Sequence, residues 1–428
     1  MKYPICLLLS LNSLMLFGQQ FDTATPESVN ISGTRMERVD NYIKSAIETN
    51  VIPGGVFILA REGKIVYHKS FGNRDGNTAY KNQDIFRIAS MTKAITSIAI
   101  LQLYEQGLLG LDDPLEWFIP AFKEMKVLDT FNQQDSSYTT EPAENKITIR
   151  HLLTHTSGIT YGDFNPGKVM AVYSKFDMLG QGLSNPKWTT EEFINRLAEV
   201  PLVFEPGTRY LYGLNMDVLG RVIEVVSGET LSEYFQRHIF EPIGMEDTYF
   251  YLTADKHSRL VPIYQQSDDG TYAPVSDDAL VGFINYPIAE DKNHYAGGGG
   301  LSSTAIDYAK FIQMLLNDGS FNGNRLLNPQ TIDLINTDQM ITLNKTGNGF
   351  SDIPGVTFGL GFMVYTDDAR GLNIKSPGTY EWGGYFNTKY FIDPEEELIF
   401  VGMTQISGFK YGYFWDRLYA LLYGVLED

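Results

Sequence analysis

The chain has 428 residues, of which 43% are hydrophobic and 13% aromatic, so it can bury a large core. It carries 33 basic against 52 acidic residues, a net charge of −19. This acidic balance argues against nucleic acids and anionic membrane surfaces as partners, because both repel a negative protein. The net charge says little about a small-molecule substrate.

The first 18 residues are typical of a secretory signal. Lys2 gives a positive start, and residues 5–17 form a mostly apolar run, shorter than the roughly 20 residues that a membrane span needs. The only cysteine in the sequence, Cys6, lies inside this segment, so the mature chain would have no disulfide and no thiol nucleophile. We therefore predict an exported bacterial protein, periplasmic or secreted, without a transmembrane segment.

The remaining chain alternates between strand and helix patterns. Polar residues 19–33 predict a flexible leader, and helices are predicted at 35–49 and 414–426. Strands are predicted near both ends, at 55–60, 64–71, 388–392 and 398–404. Helical periodicity dominates the middle, at 149–154, 190–200, 216–226, 231–240 and 304–317.

This order predicts one domain over residues 34–428. Its sheet would be built from about 34–89 and 356–428, with a helical insertion at about 90–355. Long polar or glycine-rich connections are predicted as loops at 124–146, 160–188, 266–298 and 340–355. Loops of this length often form the rims of functional sites, and we expect 160–188 and 266–298 to shape a pocket.

The pattern Ser-x-x-Lys occurs three times, and its context differs each time. Pro186 prevents a regular helix after Ser184, and Ser407 follows a strand without helical periodicity. Ser90 and Lys93 instead open a helical run that is apolar on almost every side, where residues three apart share one face. Burial disfavours the charged form of a lysine, which can then act as a base. From this stretch alone, two interpretations are open. Ser90 is a nucleophile, or it caps the helix while the side chain of Lys93 reaches solvent.

Residues 86–93 resemble the nucleophile motif of the serine β-lactamase and penicillin-binding protein superfamily. Further segments follow in the family's order, at 52–55, 111–114, 149–158 and 204–208. The chain is similar to the class C β-lactamase-like branch, with its family VIII carboxylesterases, over roughly residues 35–425. The resemblance implies an α+β fold of the β-lactamase/transpeptidase type: an antiparallel sheet flanked by helices, plus a helical domain. It implies no metal and no organic cofactor.

The resemblance also implies roles for individual residues. Tyr212 matches the family's tyrosine that works with the lysine as base and proton donor, although Leu214 stands where class C β-lactamases carry asparagine. The backbone N–H groups of Ser90 and Tyr385 would form the oxyanion hole. If the motif is left out of account, the alternative is that Tyr212 is only an aromatic residue of the core.

The family's Lys-Thr-Gly strand corresponds to Trp382, Gly383 and Gly384, which would bind substrate. The glycines allow close approach of a ligand. Trp382 replaces a lysine that helps to bind the carboxylate of β-lactams, and an aromatic wall suits an ester better. Alternatively, Gly383 and Gly384 form only a β-bulge and have no role in substrate binding.

Two other features favour structural interpretations. His151 and His155 are four residues apart, as in some zinc sites, but no third ligand is evident in the sequence. The glycine run 297–300 predicts a close approach to the site followed by a helix start, and the absence of a following lysine argues against a phosphate loop.

The sequence therefore predicts a serine hydrolase that acts through an acyl-enzyme on a carboxylic ester or amide, most simply an esterase. A D-Ala-specific carboxypeptidase or β-lactamase is the alternative favoured by the export signal. A binding module that retains the fold without activity is the third, disfavoured by the presence of Ser90, Lys93 and Tyr212 together.

Overall fold

The computed structural model describes residues 21–183, 187–267, 270–275, 286–288, 292–347 and 349–427. The segment predicted as a signal and Ser184, from the second Ser-x-x-Lys match, lie outside the described residues. Among the described residues, no helix combines the length and the apolar character that a membrane span requires.

A seven-stranded antiparallel sheet forms the centre of the molecule. Its strands are β1 (Gly54–Arg61), β2 (Lys64–Gly72), β3 (Val356–Phe358), β4 (Met363–Tyr365), β5 (Tyr380–Gly384), β6 (Thr388–Asp393) and β7 (Leu398–Met403). The order across the sheet is β3-β4-β5-β6-β7-β1-β2, so a strand from the start of the chain pairs with one from its end. The predicted α+β fold with an antiparallel sheet is confirmed.

Helices surround this sheet. They are α1 (Gly33–Glu48), α2 (Thr92–Glu105), α3 (Ile149–Leu153), α4 (Lys168–Lys175), α5 (Thr190–Leu197), α6 (Asn215–Ser227), α7 (Leu231–Phe235), α8 (Glu241–Ile243), α9 (Ala305–Leu316), α10 (Pro329–Ile335), α11 (Ile341–Asn344) and α12 (Tyr413–Tyr423). Threonine caps fix two of their starts: the hydroxyls of Thr189 and Thr230 accept the third backbone N–H of α5 and α7, and a glutamate three residues on returns the bond.

Both faces of the sheet are covered, which explains why β1 is buried at every position. Phe57 and Leu59 point to one side, where α1 and α12 pack together. Val56 and Ile58 point to the other, toward α2 and α9. The central helix α2 is buried from Thr92 to Leu103, because it lies between the sheet and the other helices.

The segment before α1 is packed rather than a flexible leader. Thr23 bridges to Ile65, and Ile31 bridges to Leu426 beside the closing helix. Val29 and Ile31 are buried, and a short turn over Pro26–Val29 places both side chains in the core. Because residues 19–33 are mostly polar, their composition did not indicate that Val29 and Ile31 would be buried.

All four predicted loops contain some regular structure. Residues 124–146 include the paired strands Lys126–Phe131 and Tyr138–Pro142, and 160–188 include α4. The short strand Tyr272–Pro274 lies in 266–298, and α11 lies in 340–355. The remaining short strands are Phe86–Arg87 with Ser302–Ser303, Ser320–Phe321 with Asn324–Arg325, and Tyr264–Gln266 with Tyr272–Pro274 and Ile406–Ser407.

Candidate active site

Ser90 lies in a single helical turn, Ala89–Met91, that leads into α2. The preceding strand Phe86–Arg87 pairs with Ser302–Ser303, which anchors the turn to the helical part of the molecule. Ala89 adopts a φ of +42°, a left-handed conformation that costs free energy for a residue with a side chain. The surrounding packing holds this conformation, and Ser90 lines a cavity as a result.

Lys93 is buried, with 1% of its surface exposed, directly beside Ser90. Its amine donates to Ser90 Oγ at 3.3 Å, to the hydroxyl of Tyr161 at 3.0 Å and to the carbonyl of Gly298 at 2.6 Å. The structure thus contradicts the alternative in which Lys93 reaches solvent. A lysine amine held against the serine hydroxyl can receive its proton.

The ring of Tyr212 also lies beside this amine. Lys93 Nζ is 4.7 Å from the centre of the Tyr212 ring, and the indole N–H of Trp382 donates to the Tyr212 hydroxyl at 3.4 Å. Tyr212 lines the cavity together with Ser90. The structure therefore brings Ser90, Lys93 and Tyr212 together around one point.

Tyr161 is a second tyrosine at this amine, and the sequence interpretation missed it. It bonds Lys93 and packs 5.6 Å from the ring of Tyr212. Burial, with the nearby charge of Asp217 and the neighbouring Tyr212, raises the pKa of Tyr161 well above that of free tyrosine. Tyr161 is therefore held as a protonated hydroxyl that orients Lys93.

Asp217 is a buried acid close behind Lys93, also missed from the sequence. One carboxylate oxygen, Oδ1, accepts the N–H of Gly298 at 3.1 Å, whereas Oδ2 has no hydrogen-bond partner among the described residues. Burial raises the pKa of Asp217 to about 6, and the charge of Lys93 opposes part of this shift. Its signal in the sequence was an acid in the first turn of the mostly apolar helix α6, five residues after Tyr212.

The raised pKa of Asp217 gives a testable dependence of stability on pH. Ionisation is harder in the folded protein than in the unfolded chain, where the pKa is 3.8, so stability falls as pH rises through about 6. Asp217→Asn removes this titration. Relative to wild type, the variant should gain on the order of 1 kcal/mol in unfolding free energy between pH 5 and pH 8. Urea unfolding at both pH values measures it, and parallel pH curves for the two proteins would contradict it.

The two histidines of the possible zinc pair have separate structural roles. His151 Nδ1 accepts the N–H of Thr148 at 3.3 Å and closes the cap of α3. His155 is fully buried, lies 2.9 Å from the amide of Asn215, and packs its ring 4.7 Å from that of Tyr212. Burial lowers the pKa of His155 well below its usual value, so the ring is neutral. Within the described ranges, no group of three or more metal-binding side chains is found.

The run of glycines at 297–300 lies behind Lys93 instead of lining the cavity. The carbonyl of Gly297 accepts from Thr96 at 2.7 Å, and that of Gly298 accepts from Lys93. A Cβ at Gly298 would collide with Asp217, so the close approach predicted here requires glycine.

Strand β5 forms the opposite wall of the site and carries Trp382, Gly383 and Gly384. Gly384 passes so close to the carbonyl of Ile88 that a side chain at this position would collide with it. This contact brings Tyr385, the next residue, beside the turn that carries Ser90. Neither the Ser90 N–H nor the Tyr385 N–H has a hydrogen-bond acceptor within the part of the chain that the structure describes. Two free N–H donors at one cavity can bind the oxygen of a substrate carbonyl.

The cavity between these walls has a volume of about 620 Å³. Most of its lining is apolar or aromatic, including Phe164, Leu183, Phe350, Met363, Trp382 and Tyr385. The region 160–188 supplies Tyr161, Phe164 and Leu183, as predicted for a rim, whereas no residue from the described parts of 266–298 lines the cavity. At the mouth, the exposed rings of Phe164 and Tyr385 stack with centres 6.3 Å apart.

Comparison with known proteins identifies the family of the chain. The sequence profile of the beta-lactamase family matches residues 39–423. A lovastatin esterase of Penicillium rubens is 32% identical, covering 86% of this chain and 92% of that protein. Esterase EstB of Burkholderia gladioli is 29% identical, covering 83% of this chain and 86% of that protein.

Solved structures show the same relationship. EstCE1, described as a hydrolase with promiscuous acyltransferase activity, is 26% identical, with a TM-score of 0.76 over 91% of this chain and 99% of that one. The resemblance noted from the sequence is therefore confirmed: the chain belongs to the beta-lactamase family.

Proposed function

We propose that this protein is an esterase in which Ser90 forms an acyl-enzyme. The observation that carries the proposal is the amine of Lys93, buried and held 3.3 Å from Ser90 Oγ with the Tyr212 ring against it. Proteins related in sequence and structure are named as esterases or hydrolases, which supports the same chemistry.

The reaction follows from these positions. Ser90 Oγ attacks the ester carbonyl and gives its proton to the pair formed by Lys93 and Tyr212. The N–H groups of Ser90 and Tyr385 stabilise the negative oxygen of the tetrahedral intermediate. Its collapse breaks the bond to the alcohol, which leaves with the proton. Water then attacks the acyl-enzyme by the reverse route, and the carboxylic acid is released.

The walls of the cavity support an ester with an apolar acyl or alcohol group. Trp382 fills one side, and Phe350 packs 6.1 Å from its ring. Aromatic side chains bind apolar groups well, and Trp382, unlike the lysine that it replaces, carries no charge.

A substrate panel tests the proposal. Purified protein should hydrolyse 4-nitrophenyl esters with short and medium acyl chains at a rate well above its rate on nitrocefin or a D-Ala-D-Ala peptide. Intact-protein mass spectrometry should detect one acyl group during turnover. Faster turnover of the peptide or nitrocefin would assign the enzyme to cell-wall substrates, and no turnover with no acyl adduct would favour a binding module.

We also propose that the protein is exported, on the basis of Lys2 and the apolar run at 5–17. The protein recovered from its native host should begin beyond residue 18, which N-terminal sequencing measures. An intact N-terminus at Met1 would contradict export by cleavage.

A further inference from the structure

Three charged side chains line the cavity beside Ser90, and two of them have partners. Glu381 forms a buried ion pair with Lys375 and accepts the hydroxyl of Tyr365. Asp163 accepts the N–H of Gly180 at 2.9 Å. The third, Lys389, has neither an ion pair nor a hydrogen bond with any residue that the structure describes.

Lys389 reaches the cavity because the facing residue is glycine. It lies on β6 directly opposite Gly383 on β5. A Cβ at Gly383 would lie 2.7 Å from Lys389 Cδ and 2.9 Å from its Nζ, so the lysine side chain occupies the space that any other residue at 383 would fill. The ammonium group of Lys389 therefore lies over Gly383 of β5, next to the catalytic cavity.

The edge of β5 is open at this position. Strand β4 pairs with β5 only at Tyr380 and Glu381, so Gly383 has no backbone partner on the cavity side. A ligand in the cavity can therefore approach the strand edge and the ammonium group above it.

An unpaired cation in a largely apolar cavity favours a ligand that supplies the missing negative charge. The chain carries a net charge of −19, so its overall field does not attract anions, and recognition of one has to be local. A carboxylate is small enough to share the cavity with an ester group.

We propose that Lys389 binds a carboxylate on the substrate, so that the preferred substrates are anionic esters. This inference rests on the proposed esterase function and defines its substrate class. The carboxylate could belong to the acyl group or to the alcohol, and the two arms of the experiment distinguish these sources.

Matched ester pairs test the inference. For the acyl side, mono-4-nitrophenyl glutarate is compared with its methyl ester; for the alcohol side, the butyrate ester of 4-hydroxybenzoate is compared with that of methyl 4-hydroxybenzoate. In at least one pair, wild type should prefer the anion. Lys389→Gln should lower kcat/KM for that anion about tenfold, mainly through KM, and change the neutral ester less than twofold.

Further variants separate charge from packing. Lys389→Arg should keep most of the preference, Lys389→Glu should reverse it, and Lys64→Gln, at an exposed lysine of the same sheet, should change neither ester. Equal losses on the anionic and neutral esters, or no loss at all, would overturn the role of Lys389. Turnover of the neutral esters in the same assays tests the esterase proposal independently of the role of Lys389.

Binding without turnover gives an independent measurement. In Ser90→Ala protein, titration with the glutarate pair, followed by tryptophan fluorescence, should show tighter binding of the anion if the carboxylate is on the acyl side. The butyrate pair serves the alcohol side in the same way. Equal affinity within both pairs would overturn the inference even if the protein proved to be no esterase.

Discussion

Replacing Ser90 by alanine should reduce kcat on 4-nitrophenyl butyrate by a factor of at least about 10⁴, because the acyl-enzyme can no longer form. The residual rate would come from the oxyanion donors and from binding alone. Steady-state kinetics measures the loss. Mass spectrometry should detect no acyl adduct and no labelling by a fluorophosphonate at residue 90.

The chain supplies its own matched control. Ser407 also stands three residues before a lysine, but it lies in the short strand Ile406–Ser407 and does not line the cavity. Ser407→Ala should retain wild-type kinetics. Ester turnover that survives Ser90→Ala at near wild-type rate would reject Ser90 as the nucleophile.

Replacing Tyr212 by phenylalanine should lower kcat about 10²- to 10⁴-fold, the usual contribution of a general acid–base group. The phenyl ring keeps the contacts with Lys93 and His155, so only the hydroxyl is lost. KM should change little, since the lost group acts on the proton of Ser90. Acylation rates from single-turnover kinetics give the direct measurement.

Tyr161→Phe is the comparison that tests which tyrosine moves the proton. Both tyrosines contact Lys93, and burial with the charge of Asp217 raises the pKa of Tyr161 well above its usual value, so Tyr161 stays protonated. We expect a loss of about tenfold, from poorer orientation of Lys93. A larger loss for Tyr161→Phe than for Tyr212→Phe would transfer the catalytic role to Tyr161.

The parts of the site carried by local patterns were predictable. Ser90 and Lys93 share a helical face, and burial on α2 follows from its apolar residues on every side. The strand at 54–61 was equally clear, because its apolar residues run without interruption and both faces of the sheet are covered. Tyr212 could be selected from 26 tyrosines only through the family motif.

The parts created by tertiary folding were not predictable. Tyr161 reaches Lys93 from a connection without periodicity, and no motif marks it. Lys389 lies in the strand predicted at 388–392, and only its register opposite Gly383 brings it to the cavity. Likewise, Ile31 is buried because it bridges to Leu426 at the far end of the chain, a contact that no local pattern encodes.

The pairing of β1 with β7 has a consequence for when the enzyme becomes active. Val56 lies opposite Met403, so the sheet closes only after almost the whole chain has been synthesised. Such distant contacts slow folding, because a long loop must close before they form. Ser90 emerges early from the ribosome, but the N–H of Tyr385 and the wall formed by β5 arrive much later. A nascent chain that lacks β5 and Tyr385 therefore carries the nucleophile without its oxyanion donor, and catalysis begins only after this strand has joined the sheet.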